Sequence, residues 1–305
     1  MTLDQPACVL IAEPTWGAVL HAARSLGSMG VPVYVATLGT GSDVFRRSRW
    51  IRAAQDFQPD SDRVVEEIAK WLDQVAVGGG PVPVLALSDQ AAELLDAARD
   101  RLPPRYRPVL PESSAFEPLL SKVDSARLAQ QAGLNVPDWV AVSSDEDIAA
   151  VDRLSFPVVI RPDTWTMPGS EVDKVELLED FPSASERLSE LVDHGTSVVV
   201  SEFVTAPVEA VEFGILWRSL SGTATVVCTG RKRRQDGSGG GVMAWGEAVD
   251  LPDVRQEAMR FLDTSGFQGV GGIEFICSGG KLWFIEFNPR LEAIHFLGTR
   301  AGVDT

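Results

Sequence analysis

The chain has 305 residues, of which 45% are hydrophobic, and it carries a formal net charge of −16. That acidity argues against general nucleic-acid binding, which needs a basic surface. No apolar run is long enough to span a membrane, the start lacks the basic segment of a secretory signal, and three dispersed cysteines predict neither disulfides nor a zinc site. We therefore expect a cytoplasmic protein with two or three packed units.

Residues 1–117 predict an open, parallel α/β domain. Apolar runs at 7–12, 31–36 and 83–87 have the composition of buried strands. Segments with apolar residues at helical spacing follow these runs, at 17–29, 61–75 and 88–101. This alternation implies crossover connections and hence a parallel sheet. Because no G-x-G-x-x-G pattern follows the first strand, a dinucleotide site is not indicated.

Residues 118–204 predict a small α+β lobe, and residues 205–305 a mainly antiparallel sheet. The elements of the small lobe are a helix at 121–133 that ends at a glycine, a strand at 156–162, a helix at 183–193 and a strand at 197–204. The later part contains strands at 213–217 and 223–229, a helix at 254–264 and a final hairpin.

The final hairpin carries the most informative pattern in the chain. Its two strands are joined by a glycine-rich turn, and each places an acid among apolar neighbours, Glu274 and Glu286. Side chains alternate along a strand, so Glu286 and Asn288 share a face. A three-residue loop at 279–281 would set Glu274 directly opposite Glu286. Two carboxylates and an amide oxygen then suit Mg²⁺, whereas the alternative is that both acids lie on a solvated face.

The order of these elements, together with the run Glu274…Glu286-Phe-Asn288-Pro-Arg290, resembles the ATP-grasp superfamily, especially its carboxylate–amine ligases and its members similar to carbamoyl-phosphate synthase. The resemblance implies an α/β and α+β fold, in which an N-terminal open parallel α/β domain precedes a two-lobed ATP-grasp domain with an antiparallel sheet. It also implies ATP and Mg²⁺ as cofactors, with Glu274, Glu286 and Asn288 as the metal ligands.

The resemblance implies a second set of residues at the nucleoside. The segment Glu202-Phe203-Val204 is similar to the hinge between the lobes, where the strand backbone meets adenine. Glu209 stands where a glutamate meets the ribose hydroxyls. Glu212 competes for that role, and a solvated loop acid is the alternative for Glu209.

Several cations resemble residues that contact phosphate. Lys122 matches a phosphate-binding lysine, and the alternative is an exposed lysine at a helix start. Arg161 ends an apolar strand and would bind α- and β-phosphate oxygens, whereas its alternative is a salt bridge with Asp163. Arg161 and Arg290 are the predicted catalytic residues, since both would spread charge during phosphoryl transfer. One arginine of the basic run 231–234 is also expected to bind phosphate or carboxylate, and the alternative is that the run is a solvated face.

The chain departs from the family pattern in two places. Segment 163–174 has one glycine and three acids where family members carry a glycine-rich loop over the phosphates. The chain also stops at Thr305, whereas members usually continue for tens of residues, so the substrate-side wall is expected to be incomplete, trimmed or supplied by another chain. We expect loops 163–174 and 234–241 to become ordered together when nucleotide binds.

The predicted function is Mg²⁺- and ATP-dependent ligation of a carboxylic acid to an amine through an acylphosphate. Small-molecule acids and amines are the expected partners, a homodimer is one possible assembly, and neither nucleic acid nor membrane is expected. Two alternatives remain open. One is a phosphotransferase or carboxylase with the same ATP site, and the other is a nucleotide-binding protein without turnover.

Overall fold

A five-stranded parallel sheet forms the first part of the fold, in a computed structural model that describes residues 7–13, 16–59, 63–75, 80–164, 172, 175–236 and 243–303. Helices cover both faces, so β1 is buried along its whole length. The strands are β1 (Cys8–Ala12), β2 (Val33–Leu38), β3 (Ile51–Phe57), β4 (Val82–Ala86) and β5 (Tyr106–Pro108), in the order β3-β2-β1-β4-β5. The helices are α1 (Trp16–Ser28), α2 (Ser42–Phe45), α3 (Val64–Gln74) and α4 (Asp89–Ala97).

The predicted parallel domain is confirmed, but two of its strands, β3 and β5, were not predicted. β3 is an edge strand with a mixed sequence, Ile-Arg-Ala-Ala-Gln-Asp-Phe, so its apolar signal is weak. The strand order reverses between β1 and β4. At such a point the carboxyl ends of neighbouring strands leave a crevice in which ligands commonly bind.

A four-stranded antiparallel sheet forms the small lobe. One face is covered by α8, which buries Ala184, Leu188 and Leu191. The strands are β6 (Trp139–Val142), β7 (Val158–Pro162), β8 (Glu176–Leu178) and β9 (Val198–Glu202), in the order β6-β9-β7-β8. The helices are α5 (Ser113–Leu120) and α6 (Lys122–Gln131), which lead into the lobe, and α7 (Asp145–Ile148) and α8 (Phe181–Asp193) within it.

A five-stranded antiparallel sheet forms the last part of the fold. Phe261 packs its ring 5.5 Å from Phe284 and 4.8 Å from Phe287, so one face of the final strand is held against a helix. Burial of one such ring contributes about 2 kcal/mol. The strands are β10 (Val211–Arg218), β11 (Thr225–Gln235), β12 (Met243–Ala248), β13 (Gly269–Ser278) and β14 (Lys281–Asn288), in the order β12-β11-β10-β13-β14, and the helices are α9 (Pro252–Ser265) and α10 (His295–Arg300).

The final hairpin lies where the three sheets meet. The backbone N–H of Leu291 donates to Ala86 O at 3.0 Å in the N-terminal sheet, and Arg161 Nη1 of the small lobe donates to Ile285 O at 2.9 Å. The α/β and α+β class is therefore confirmed, while the boundaries at 117/118 and 204/205 stay predictions. No helix within the described residues is long and apolar enough to cross a membrane.

Candidate active site at the β13–β14 hairpin

A β-bulge sets the two hairpin acids against each other. The turn has two residues, Gly279 and Gly280, with φ of 60° and 73°, so the prediction of a three-residue loop is wrong. An even loop alone would place Glu274 and Glu286 on opposite faces. Because Ile285 is an extra residue in β14, the pairing shifts and Glu274 nevertheless faces Glu286. The carbonyl of the bulged residue is the one that accepts from Arg161.

The facing carboxylates are largely withdrawn from solvent. Burial, followed by the charge of Glu286, raises the pKa of Glu274 to about 7, although Lys232 and Arg290 act in the opposite direction. Lys232 Nζ lies 3.8 Å from Glu274 Oε2, and its side chain is only 8% exposed. Two acids that face each other are unfavourable without a cation between them. This pair therefore has the electrostatics of a cation site.

Asn288 and its neighbours extend the acid pair. Asn288 Nδ2 lies 3.3 Å from Glu286 Oε1 and donates to Glu292 Oε1 at 2.9 Å. No group of three His, Cys, Asp or Glu side chains suited to a metal occurs among the described residues. A cation held by Glu274 and Glu286 would thus need the amide oxygen of Asn288, which the amide presents after rotation of its side chain.

Glu292 is a buried acid that the sequence analysis did not single out. Burial raises its pKa to about 8, against the lowering effect of Arg290. Its Oε2 is buried and has no hydrogen-bond partner within the described part of the chain. The carboxylate fits because residue 272 is glycine: a Cβ there would collide with Glu292. No periodic signal in the sequence indicates Glu292, since it follows the end of β14.

Arg290 is held by an acid of helix α4, which follows strand β4 of the N-terminal sheet. Arg290 Nε donates to Asp89 Oδ1 at 2.5 Å, Nη2 reaches Asn288 Oδ1 at 3.5 Å, and Nη1 lies 4.0 Å from Glu292. Asp89 opens α4 directly after β4, at the point where the strand order reverses. Asp89 was not predicted from the sequence, although the rule for ligand crevices in parallel sheets indicates that position.

Two cations of the small lobe approach the acids. Burial lowers the pKa of Lys122 and of Arg161, and Glu286 raises both. Arg161 Nε is buried without a hydrogen-bond partner among the described residues. Asp163 instead accepts from Ser121 Oγ and the backbone N–H of Val123, so the alternative salt bridge with Arg161 is not formed. A pocket between the start of α6 and the end of β14 is lined in part by Lys122, Glu286 and Asn288.

The basic run 231–234 divides between surface and site. Arg231 donates to the buried Glu212 at 2.5 Å. Glu212 was the alternative to Glu209 for the contact with ribose, and this ion pair already engages its carboxylate. Arg233 pairs with Glu247. Lys232 reaches the acid pair and is buried, so the prediction that an arginine of this run faces the site is corrected to the lysine.

The hinge residues do not join this cluster by any hydrogen bond or ion pair within the described ranges. Glu202 accepts from the backbone N–H of Ser155 at 2.8 Å, and Phe203 N–H donates to Pro157 O at 3.0 Å. Phe203 is 37% exposed, Val204 is half-buried, and Glu209 is exposed in a 3₁₀ turn. The hinge nevertheless approaches the hairpin, because Ser278 Oγ donates to Thr205 O at 3.3 Å.

The loops predicted to close over nucleotide lie largely outside the described residues. Of segment 163–174, the structure describes 163, 164 and 172, and of segment 234–241 it describes 234–236. Their ordering by nucleotide stays a prediction.

Known proteins share both the sequence pattern and the fold. Curated relatives include an N5-carboxyaminoimidazole ribonucleotide synthase from Synechococcus elongatus, 25% identical over 61% of this chain and 45% of the relative, and a formate-dependent phosphoribosylglycinamide formyltransferase from Corynebacterium efficiens, 28% identical over 60% and 47%. The chain thus spans about half the length of the curated relatives it matches. A structure of biotin carboxylase from Campylobacter jejuni aligns with a TM-score of 0.72 at 15% identity, covering 99% of this chain and 69% of the other.

The strongest assignment comes from the sequence model of the ATP-grasp domain, which matches residues 127–294 and so includes the small lobe and the whole hairpin. The biotin carboxylase likeness, at its low identity, supports the fold alone. Since the matched region exceeds half of the 305 residues, this chain belongs to the ATP-grasp domain family.

Proposed function

We propose that this chain is an ATP-dependent ligase that joins a carboxylic acid to an amine through an acylphosphate. The observation that carries the proposal is the opposition of Glu274 and Glu286 in the hairpin, with the half-buried cations Lys122 and Arg161 of the small lobe near Glu286. Such an arrangement suits phosphoryl transfer, in which the protein positions the reactants and neutralises charge. The family model and the names of the curated relatives agree with this chemistry.

The donor set fits Mg²⁺ and the triphosphate of ATP. Glu274, Glu286 and Asn288 offer the hard oxygen ligands that Mg²⁺ prefers. Mg²⁺, when bound, would neutralise charge on phosphate oxygens. The unpaired Nε of Arg161 and the half-buried ammonium of Lys122 are donors without a carboxylate partner at hydrogen-bond distance in the described chain, which suits a phosphate between them.

The remaining residues divide the task of holding ATP and the acid. Glu202, Phe203 and Val204 would receive adenine along the hinge backbone, with Glu209 at the ribose. Arg290 would hold the acid or the transferring phosphoryl group, since its guanidinium stands just beyond Asn288. A pocket between domains or lobes is the usual place for such a ligand.

The proposed reaction needs no side-chain nucleophile. A carboxylate oxygen of the acid attacks the γ-phosphorus of ATP, the bond to the bridging oxygen breaks, and ADP leaves. The amine nitrogen then attacks the acyl carbon of the acylphosphate, inorganic phosphate leaves, and the nitrogen loses a proton. The chain's residues orient the groups and spread the negative charge of both steps.

The proposal is tested by ADP release with Mg²⁺ and a panel of carboxylic acids and amines. We expect sustained ADP release by the full chain only when both substrates are present, because the acid alone supports at most the first step. Glu286→Gln should reduce this turnover at least 1,000-fold, by about 4 kcal/mol of transition-state stabilisation. Glu117→Gln removes an exposed acid of α5 and is the matched control. Equal turnover by Glu286→Gln and the parent chain would refute the assignment of the hairpin. ATP binding without ADP release across the panel would instead favour a nucleotide-binding protein.

A further inference from the structure

Asp163 is the first residue after β7, the strand that carries Arg161. At this position the family pattern has the start of a glycine-rich loop over the phosphates, where a carboxylate would repel the ligand. The carboxylate of Asp163 is directed elsewhere: its Oδ1 accepts from Ser121 Oγ at 2.8 Å and from the Val123 N–H at 2.9 Å. Both donors belong to the start of α6, the helix whose first residue is Lys122.

The backbone of Asp163 strengthens this attachment to α6. The N–H of Lys122 donates to Asp163 O at 2.9 Å, next to the bond from Val123 to the carboxylate. The first N–H groups of a helix have no acceptor within the helix, so Asp163 satisfies two of them. Asp163 is itself fixed to the small lobe, because its N–H donates to Ser197 O at 3.1 Å just before β9. The main chain of Lys122 is therefore tied to the sheet of the small lobe by one residue.

The two cations that this attachment brings together repel each other. Burial lowers the pKa of Lys122 and the charge of Arg161 lowers it further, whereas Glu286 and Asp163 act in the opposite direction. Arg161 is held independently, because its Nη1 donates to Ile285 O at 2.9 Å. Lys122 has a flexible side chain, so its place beside Arg161 depends on where the start of α6 is held.

We propose that Asp163 is a positioning residue, which holds Lys122 beside Arg161 so that the two cations bind phosphate together. The inference rests on the proposed function, since it takes both cations as ligands of the ATP phosphates. Asp163 acts through Lys122 and is not itself a ligand of the nucleotide. An acid at this position then does not oppose phosphate binding, because its carboxylate is already engaged by two donors of α6.

Calorimetric titration of the full chain with a non-hydrolysable ATP analogue and Mg²⁺ tests the proposal. Asp163→Ala removes both side-chain bonds and should raise the Kd about 10- to 50-fold, because a displaced cation loses its contact with phosphate. Asp163→Asn keeps an oxygen that can accept both bonds, so its Kd should stay within about fivefold of the parent's. Asp124→Ala is the matched control: it removes an acid of the same helical turn that pairs with Arg127 at the surface, and it should change the Kd less than about twofold.

Two further titrations separate the positioning of Lys122 from the ordinary stabilisation of a helix by its cap. Adenosine has no phosphate, so Asp163→Ala and the parent chain should bind it with the same Kd. In a chain that already carries Lys122→Met, adding Asp163→Ala should change the Kd for the ATP analogue less than about twofold, because the residue through which Asp163 acts is absent. Thermal unfolding of each variant measures the separate cost of the lost cap.

Three results would overturn the positioning role. They are equal weakening of adenosine and the ATP analogue by Asp163→Ala, an undiminished effect of Asp163→Ala in the Lys122→Met chain, and an Asp163→Asn variant that binds as weakly as Asp163→Ala. Because these titrations measure binding, they are independent of the ligase reaction. A chain that shows the expected differences in Kd but releases no ADP with any acid and amine would keep the role of Asp163 and refute the ligase, whereas a parent chain that does not bind the analogue would overturn both.

Discussion

The hairpin and the hinge differ in how they hold their polar groups. At the hairpin, side chains contact other side chains: Asp89 and Arg290 at 2.5 Å in a half-buried setting, and Lys232 and Glu274 at 3.8 Å in a more buried one. At the hinge, the described contacts run through the backbone, as with the Phe203 N–H and Pro157 O at 3.0 Å. The hinge acid Glu209 is exposed.

This difference predicts where substitutions have large effects. Charges act strongly where water is excluded and weakly where it is present. The hairpin should therefore control the rate of phosphoryl transfer, whereas the hinge should set the affinity for the nucleoside through shape and backbone contacts. Substitutions at the two regions should therefore differ in whether they change kcat or the KM for ATP.

The largest effect is expected for Lys232→Met. Lys232 is the one buried member of the basic run 231–234, and it lies beside Glu274, so its loss removes a positive charge from the acid pair. We expect kcat to fall by about 100- to 1,000-fold, as when a single preorganised electrostatic donor is removed. Steady-state kinetics of ADP release measure this. Arg233→Met, which removes a cation that pairs with Glu247 near the surface, is the control and should change kcat less than about threefold. Equal losses in both variants would contradict the special position of Lys232.

A smaller effect is expected for Asp89→Asn. The substitution keeps the shape of the side chain but removes the charge that holds Arg290 Nε. We expect kcat/KM for the acid substrate to fall by about 10- to 100-fold, because a misplaced guanidinium loses its orientation toward substrate. Asp96→Asn, at a second aspartate of α4, is the control, with thermal unfolding to correct for its own contact with Arg99. An unchanged kcat/KM in Asp89→Asn would show that the function of Arg290 does not depend on the charge of Asp89.

The sequence predicted the members of the hairpin site better than their arrangement. Glu274, Glu286 and Asn288 could be identified because acids among apolar strand residues are unusual. The bulge at Ile285 could not be predicted, because its sequence does not distinguish an extra strand residue from an ordinary one. Glu274 lies opposite Glu286 only because of this bulge. Asp89 and Arg290 are 201 residues apart in sequence, so only the docking of the two sheets brings them together. Among the fold elements, apolar strands such as β1 and β4 were predicted, whereas the polar edge strand β3 was missed.

A change in stability is expected for Glu292→Gln. The pKa of Glu292 is raised to about 8 in the folded protein, so the folded state binds more protons than the unfolded state between the unfolded pKa and about pH 8. Stability linked to this group is therefore greatest at low pH and falls as pH rises through that range. Glutamine removes the ionisation and keeps an oxygen for Asn288. We expect the variant to be more stable than the parent by about 2 kcal/mol above pH 8, with the difference disappearing near pH 4.5.

Denaturant unfolding in the presence of EDTA measures this difference, because a bound divalent cation would stabilise the ionised form. Glu117→Gln, which makes the same substitution at an exposed acid of α5, is the matched control. A Glu292→Gln variant that is destabilised at every pH would mean that the carboxylate is compensated by contacts stronger than its 2.9 Å hydrogen bond to Asn288 and the cation of Arg290 at 4.0 Å.

The smallest effect is expected at the hinge, for Glu209→Ala. Glu209 lies in the exposed 3₁₀ turn Val208–Ala210, and its proposed contact is with the ribose hydroxyls of ATP. Loss of one solvent-accessible hydrogen bond changes binding by about 1 kcal/mol, so we expect KM for ATP to rise about fivefold with kcat unchanged. Replacing ATP by its 2′,3′-dideoxy analogue should remove the difference between variant and parent, because the hydroxyls are then absent from both complexes. If Glu209→Ala instead lowers kcat as strongly as Lys232→Met does, the division between a rate-setting hairpin and an affinity-setting hinge is wrong. If KM is unchanged with ATP, the ribose contact belongs to another residue, and Glu212 is excluded from that role by its buried ion pair with Arg231 at 2.5 Å.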